Sequence, residues 1–161
     1  FLGSEYAKEI LRNNHGLLIE PPINSREENS LPALRSISLQ PSEWAVVYFN
    51  ESGCDKACNQ TLNKLEVVRS LLGRDGPRLR VWSILGAGPT LGRGNSLVDP
   101  DFSNDLELIL RDRLETKVTS HVGEGLILMD WRSQVMMFYI DFEDAGLKHD
   151  LSKLLRASRI R

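Results

Sequence analysis

Apolar runs and periodic apolar positions alternate through the last three-quarters of the chain. Trp44-Ala45-Val46-Val47-Tyr48-Phe49 is a β-branched and aromatic run bounded by polar residues, the pattern of a strand buried on both faces of a sheet. Asn50-Glu51-Ser52-Gly53 then predicts a turn. Cys58, Leu62, Leu65, Val68 and Leu72 recur at spacings of 4, 3, 3 and 4, the stripe of an amphipathic helix that ends at Gly73. Leu79-Arg80-Val81-Trp82-Ser83-Ile84-Leu85 predicts the next strand, and a glycine-rich connection over residues 86–94 leads to a helix over 104–114. Leu126-Ile127-Leu128-Met129 and Gln134-Val135-Met136-Met137-Phe138-Tyr139-Ile140 predict two further strands. Between them Asp130-Trp131-Arg132-Ser133 is short enough for a hairpin. Leu147, Leu151, Leu154 and Leu155 form the apolar face of a closing helix.

The order β-α-β-α-β-β-α implies an α/β fold, a central mixed sheet flanked by helices on both faces, which is the thioredoxin-like order. Residues 41–161 are expected to form that domain and residues 1–40 an extended N-terminal arm. The stretch from Glu20-Pro21-Pro22 to Ser30 is rich in prolines and polar residues, which stops helices and favours an extended path. Gly16-Leu17-Leu18-Ile19 and Ile37-Ser38-Leu39 are candidates for two short edge strands.

A chain of 161 residues with 41% hydrophobic and 26% charged residues fits one folded domain and excludes a disordered or collagen-like chain. A net charge of -2 gives no sign of a basic nucleic-acid-binding face, so no nucleic-acid partner is expected. Even the longer uninterrupted apolar stretches, Trp44 to Phe49 and Val135 to Ile140, like Leu126 to Met129, are far below the ~20 residues that cross a bilayer. The chain opens Phe1-Leu2-Gly3-Ser4 without an initiator Met. A trimmed signal or membrane anchor would leave such a stub, and so would an arbitrary boundary.

Chemistry concentrates in Cys54-Asp55-Lys56-Ala57-Cys58, the only cysteines of the chain, placed where the first strand hands over to the first helix. A helix N-terminus carries roughly half a positive charge and unpaired N–H groups, which favours a thiolate. Lys56 adds positive charge and Asp55 opposes it. Residues four apart lie about one helical turn from each other, so both sulfurs can converge on one atom. A disulfide across a full helical turn would lie near the upper end of the accepted Cα range of roughly 4.4 to 6.8 Å. Two soft thiolates suit Cu(I), with a nearby imidazole completing a three-coordinate site. Redox exchange and copper binding thus need the same two residues. Cys58 also belongs to the apolar stripe of its helix, where an inert buried cysteine is common.

Of the three histidines, His15 lies in the arm and His149 on the polar side of the last helix, where solvated roles suffice. His121, in the loop before the third strand, is the candidate third ligand, although a loop histidine is more often a plain surface residue. Residues 86–94 fail both glycine-rich phosphate-binding templates, so a flexible loop is expected there. No Gly-x-Ser-x-Gly elbow, His-Glu-x-x-His or obvious carboxylate pair supports hydrolase chemistry.

With these residues in place, the chain resembles the Sco/SenC type of thioredoxin-like proteins. The resemblance rests on Trp44 to Phe49, the Cys-x-x-x-Cys of Cys54 and Cys58, and His121 ahead of Leu126-Ile127-Leu128-Met129-Asp130, and covers roughly residues 40–160. Leu128 to Tyr139 and Gly146 to Arg156 look more closely like membrane-anchored thioredoxin-like proteins of Gram-negative bacteria associated with cytochrome c oxidase assembly. The segment from Asn14 to Pro22 looks like the stretch after their membrane helix. Two positions depart from the Sco pattern: Asp55 stands where Pro usually follows the first cysteine, and Ser120 where Asp usually precedes the histidine.

The resemblance implies an inner-membrane protein whose soluble domain faces the periplasm, anchored by a segment before Phe1. Its partner would be the copper-bearing subunit of cytochrome c oxidase or its assembly factors. Cys54 would be the exposed thiol, Cys58 its inner partner and His121 a third copper ligand. Two rivals remain: a metal-free thiol-disulfide oxidoreductase in which Cys54 attacks and Cys58 resolves, and a non-catalytic subunit docked on a respiratory complex.

Overall fold

A computed structural model describes residues 16–27, 30–86, 95–114, 118, 120–140 and 144–158. Its strands are β1 (Leu17–Asn24), β2 (Trp44–Asn50), β3 (Leu79–Leu85), β4 (Asn95–Val98), β5 (Glu124–Asp130) and β6 (Gln134–Tyr139). The helices are α1 (Lys56–Leu71), α2 (Phe102–Leu114) and α3 (Asp144–Ser158). The strands form one sheet in the order β1-β6-β5-β2-β3-β4. β2, β3 and β4 run parallel, whereas β5, β6 and β1 join antiparallel.

β2 is central, and its alternating side chains divide the core as a period of two requires. Trp44, Val46 and Tyr48 point to one face, where they join buried residues of α1 (Cys58, Leu62, Leu65, Val68) and α3 (Leu147, Leu151, Leu154, Leu155). Ala45, Val47 and Phe49 point to the other, where α2 supplies Phe102, Leu106, Leu110 and Leu114. Every strand and helix expected from the apolar pattern after residue 43 is present. Burial on both sides explains why β2 reads as an unbroken apolar run.

The differences lie at the edges. Leu17–Asn24 is a full edge strand that continues through Pro21-Pro22, further than the expected four residues. An edge position tolerates prolines because the missing N–H faces away from the partner strand; the register against β6 shifts between Leu18 and Ile23. Ile37-Ser38-Leu39 is not a strand: Pro32–Ser36 forms a 3-10 helix, and the Ile37 N–H closes its end on the Leu34 carbonyl at 3.2 Å. Ile140 falls outside β6 and is half exposed. β4 has no counterpart among the expected strands. Residues 87–94, expected as a flexible loop, and the arm before residue 16 lie outside the described residues.

The expected β5–β6 hairpin is shaped by Asp130, whose Oδ1 accepts the N–H groups of Arg132 at 2.9 Å and Gln134 at 3.0 Å. Arg78 fastens α3 to the rest: it donates to Asp75 at 3.0 Å, to the Leu155 carbonyl at 2.6 Å and to the Ser42 carbonyl at 3.0 Å. Among the described residues no helix is long and apolar enough to cross a membrane.

Candidate functional site

The site is built where β2 ends. Asn50 turns the chain with both its groups: its carbonyl accepts the N–H of Gly53 at 3.3 Å and of Gly86 at 2.9 Å, and its Oδ1 accepts the Ser52 N–H at 2.9 Å. Gly53 has a φ of 89°, a conformation that side chains with a Cβ rarely adopt. Gly86 packs directly on the Glu51 backbone, where any Cβ would collide with the Glu51 carbonyl. The antiparallel pairing of Asn50 with Glu124 brings the loop before β5 alongside, and the Glu51 N–H bonds the Gly123 carbonyl at 2.9 Å.

Cys54 and Cys58 are joined by a disulfide. The expected helical turn holding both residues is not what brings them together. α1 begins at Lys56, and Asp55 is its N-cap, with extended φ/ψ of -106° and -162° and a side chain that accepts the Cys58 N–H at 3.0 Å. Cys54 therefore precedes the cap, and the two Cα atoms lie 5.0 Å apart, in the lower part of the disulfide range and not at its upper end. Aspartate is a favoured N-cap because its carboxylate satisfies an orphan amide. That carboxylate also sits at the positive end of α1. Cys58 is fully buried in the core under α1, while Cys54 keeps partial exposure.

His121 sits between two carboxylates. Its Nε2 lies 2.8 Å and 2.5 Å from the two Glu51 oxygens, and its Nδ1 lies 2.9 Å from Glu107 Oε1. The hydrogen bond to Glu51 first, then the charges of Glu51 and Glu107, raise the imidazole above its ordinary value of 6.5, so the protonated form is favoured. Glu107 is held below the usual carboxylate range, first by the Val122 N–H that it accepts. His149 is exposed on α3, and His15 lies outside the described residues.

A second polar group lies on the α1 face of β2. The Tyr48 hydroxyl donates to Glu124 and accepts from Asn50 Nδ2 at 2.9 Å. Burial, then the Glu124 hydrogen bond, pushes Tyr48 well above its ordinary value of 10.0. A cleft of about 180 Å³ opens beside it, between Thr61 and Lys64 of α1, Glu124 to Leu126 at the start of β5, and Ile140 just after β6.

The donor set expected for copper does not fit as arranged. The two sulfurs are bonded to each other, and both imidazole nitrogens of His121 face carboxylates. Among the described residues no group of three or more His, Cys, Asp or Glu side chains is placed to hold a metal ion. No sequence motif marks Glu51 and Glu107 as partners of His121, nor Tyr48 and Glu124 as a pair. A glutamate next to the Gly53 turn was a local hint for Glu51, whereas Glu107 lies on a different helix and carries no local signal.

A mixed sheet with helices on both faces and a cysteine pair at the junction of its central strand and the following helix defines a thioredoxin-like protein. The chain belongs to the family described as transmembrane-like, thioredoxin-like, C-terminal domain, whose model matches residues 44–158.

Solved structures with a similar fold include BsSco, a member of the Sco family of cytochrome c oxidase assembly proteins in which a disulfide switch was identified. It is 12% identical, with a TM-score of 0.46 over 92% of this chain and 98% of that one. Bradyrhizobium japonicum ScoI with copper bound is 14% identical, with a TM-score of 0.43 over 74% of this chain and 88% of that one. A SCO1/SenC family lipoprotein from Bacillus anthracis is 10% identical, with a TM-score of 0.48 over 88% and 99%. No curated protein matches the chain.

Proposed function

We propose that this domain is a thiol-disulfide exchange protein of cytochrome c oxidase assembly, held at the inner membrane by an N-terminal anchor with the folded part in the periplasm. In this reading it reduces the cysteine pair of the copper-bearing subunit so that the subunit can take up its metal. The observation that carries the proposal is the asymmetry of the disulfide: Cys54 is partly exposed ahead of the α1 cap, and Cys58 is fully buried behind it. The resemblance of Leu128 to Tyr139 and of Gly146 to Arg156 to membrane-anchored oxidase-assembly proteins supports the choice of partner.

The chemistry balances without a metal. In the reduced protein, the Cys54 thiolate attacks one sulfur of the target disulfide and the other target sulfur leaves as a thiolate. The Cys58 thiolate, its proton given to solvent, then attacks Cys54 Sγ. The second target thiolate leaves and the Cys54–Cys58 bond closes. Two electrons pass to the target, and an external dithiol reductant restores the pair. No copper step belongs to the proposal, because the imidazole that would complete the donor set is engaged by Glu51 and Glu107.

Mixing the reduced protein with the soluble copper-bearing domain of the oxidase, its cysteines oxidised, tests this. The expected result is a target dithiol formed in step with the Cys54–Cys58 disulfide, and none with Cys54→Ser. A target left oxidised by the wild-type protein would overturn the proposal.

A further inference from the structure

We infer that Glu51, His121 and Glu107 form a clasp that fixes the base of the Cys54 loop, and that His121 is a positioning residue and not a metal ligand. This deepens the exchange reading and rests on it for the consequence at Cys54.

Three separate elements meet at one imidazole. Glu51 begins the turn that leads from β2 to Cys54, Glu107 belongs to α2 on the other face of the sheet, and His121 lies in the loop before β5. An exposed ion pair by itself contributes little, because water screens it and two side chains lose freedom. Here each carboxylate residue is also stitched through the backbone. Glu107 Oε1 accepts the Val122 N–H as well as facing His121 Nδ1. The Glu51 N–H donates to the Gly123 carbonyl while its side chain faces His121 Nε2. Glu51 is pinned from a third side, since Gly86 packs on its backbone and leaves no room for a Cβ. The turn before Cys54 is therefore held to α2 and to the β5 loop at once.

The clasp uses the imidazole as a two-ended donor. In its protonated form both ring N–H groups donate, one to each glutamate, and neither nitrogen keeps a lone pair for a metal. Ligation would require the ring to lose a proton and leave Glu51, which would free the turn that carries Cys54. The same ring cannot brace the loop and ligate at its tip.

Arginine separates the two roles, because a guanidinium can donate to both carboxylates and does not ligate metals in proteins. His121→Arg and His121→Ala are compared with the wild-type protein by three measurements. Hydrogen exchange at the Glu51 and Val122 amides reads the clasp, and with His121→Ala it is expected to quicken about tenfold while His121→Arg stays near wild type. Reaction of the reduced proteins with a small aromatic disulfide reads the presentation of Cys54, expected to slow by about tenfold in His121→Ala and to recover in His121→Arg. Cu(I) titration of the reduced proteins against a competing chelator reads ligation, with His121→Arg expected within about threefold of wild type.

Unchanged amide exchange in His121→Ala, or no recovery in His121→Arg, would overturn the clasp. A Cu(I) affinity more than about tenfold weaker in His121→Arg would return His121 to the ligand set. Failure of the exchange reading itself would look different: wild-type protein inert to the aromatic disulfide, with the amides still separating the two variants.

Discussion

Phe49→Ala is expected to lower the unfolding free energy by about 4 kcal/mol, within the roughly 3 to 5 kcal/mol typical of deleting a fully buried aromatic ring. Phe49 has no exposed surface and sits where β2 meets the functional turn. Its ring lies edge-on to Phe102 of α2 at 5.6 Å and stacks on Phe138 of β6 at 6.3 Å, so one side chain joins three elements. Across the ladder it pairs with Gly125, where a Cβ would come within 3.1 Å of the ring. Glycine there makes room for the ring, and nothing larger stands opposite to fill the void after truncation. Against a total stability of about 5 to 15 kcal/mol, such a loss is a large fraction of the whole. Urea denaturation should show a lower midpoint with an unchanged slope. A loss below about 1 kcal/mol would mean that this face of the core is not packed as described.

The largest functional effect is expected at the cysteines, and it differs between the two. Cys58→Ser should leave the attacking thiol in place and remove the resolving one, so that a mixed disulfide with the target accumulates. Cys54→Ser should give no adduct and no reduction, because the remaining thiol is fully buried under α1. Non-reducing electrophoresis after acid quenching separates these outcomes. Adducts of equal yield from both variants would show that Cys58 is as accessible as Cys54, contrary to the burial. An accessory subunit that kept the fold without its chemistry would form no adduct with either.

The central fold was readable because burial on both faces writes itself into composition. Trp44 to Phe49 has no polar interruption to conceal it, and the Cys58-to-Leu72 stripe has a helical period that no strand shares. β4 was not readable: Asn95-Ser96-Leu97-Val98 is short and half polar, and pairing with β3 makes it a strand. Ile37-Ser38-Leu39 misled for the opposite reason, since alternation without a partner strand makes no ladder. The cysteine pair and its place at the strand–helix junction were legible. The position of Cys54 off the helix was also within reach, because Asp55 is a favoured N-cap and so sets the helix start after it. The clasp was not legible: Glu51 and His121 are 70 positions apart, and only the pairing of β2 with β5 brings them together.

The account depends on a disulfide that opens and closes with its outer sulfur leading. Its most direct test is equilibration of the folded protein in dithiol buffers of graded potential, followed by brief alkylation and mass mapping. The expected result is a single reversible transition in which both thiols appear together, with Cys54 alkylated well before Cys58. A bond that stays closed until the protein unfolds, or first labelling at Cys58, would contradict it.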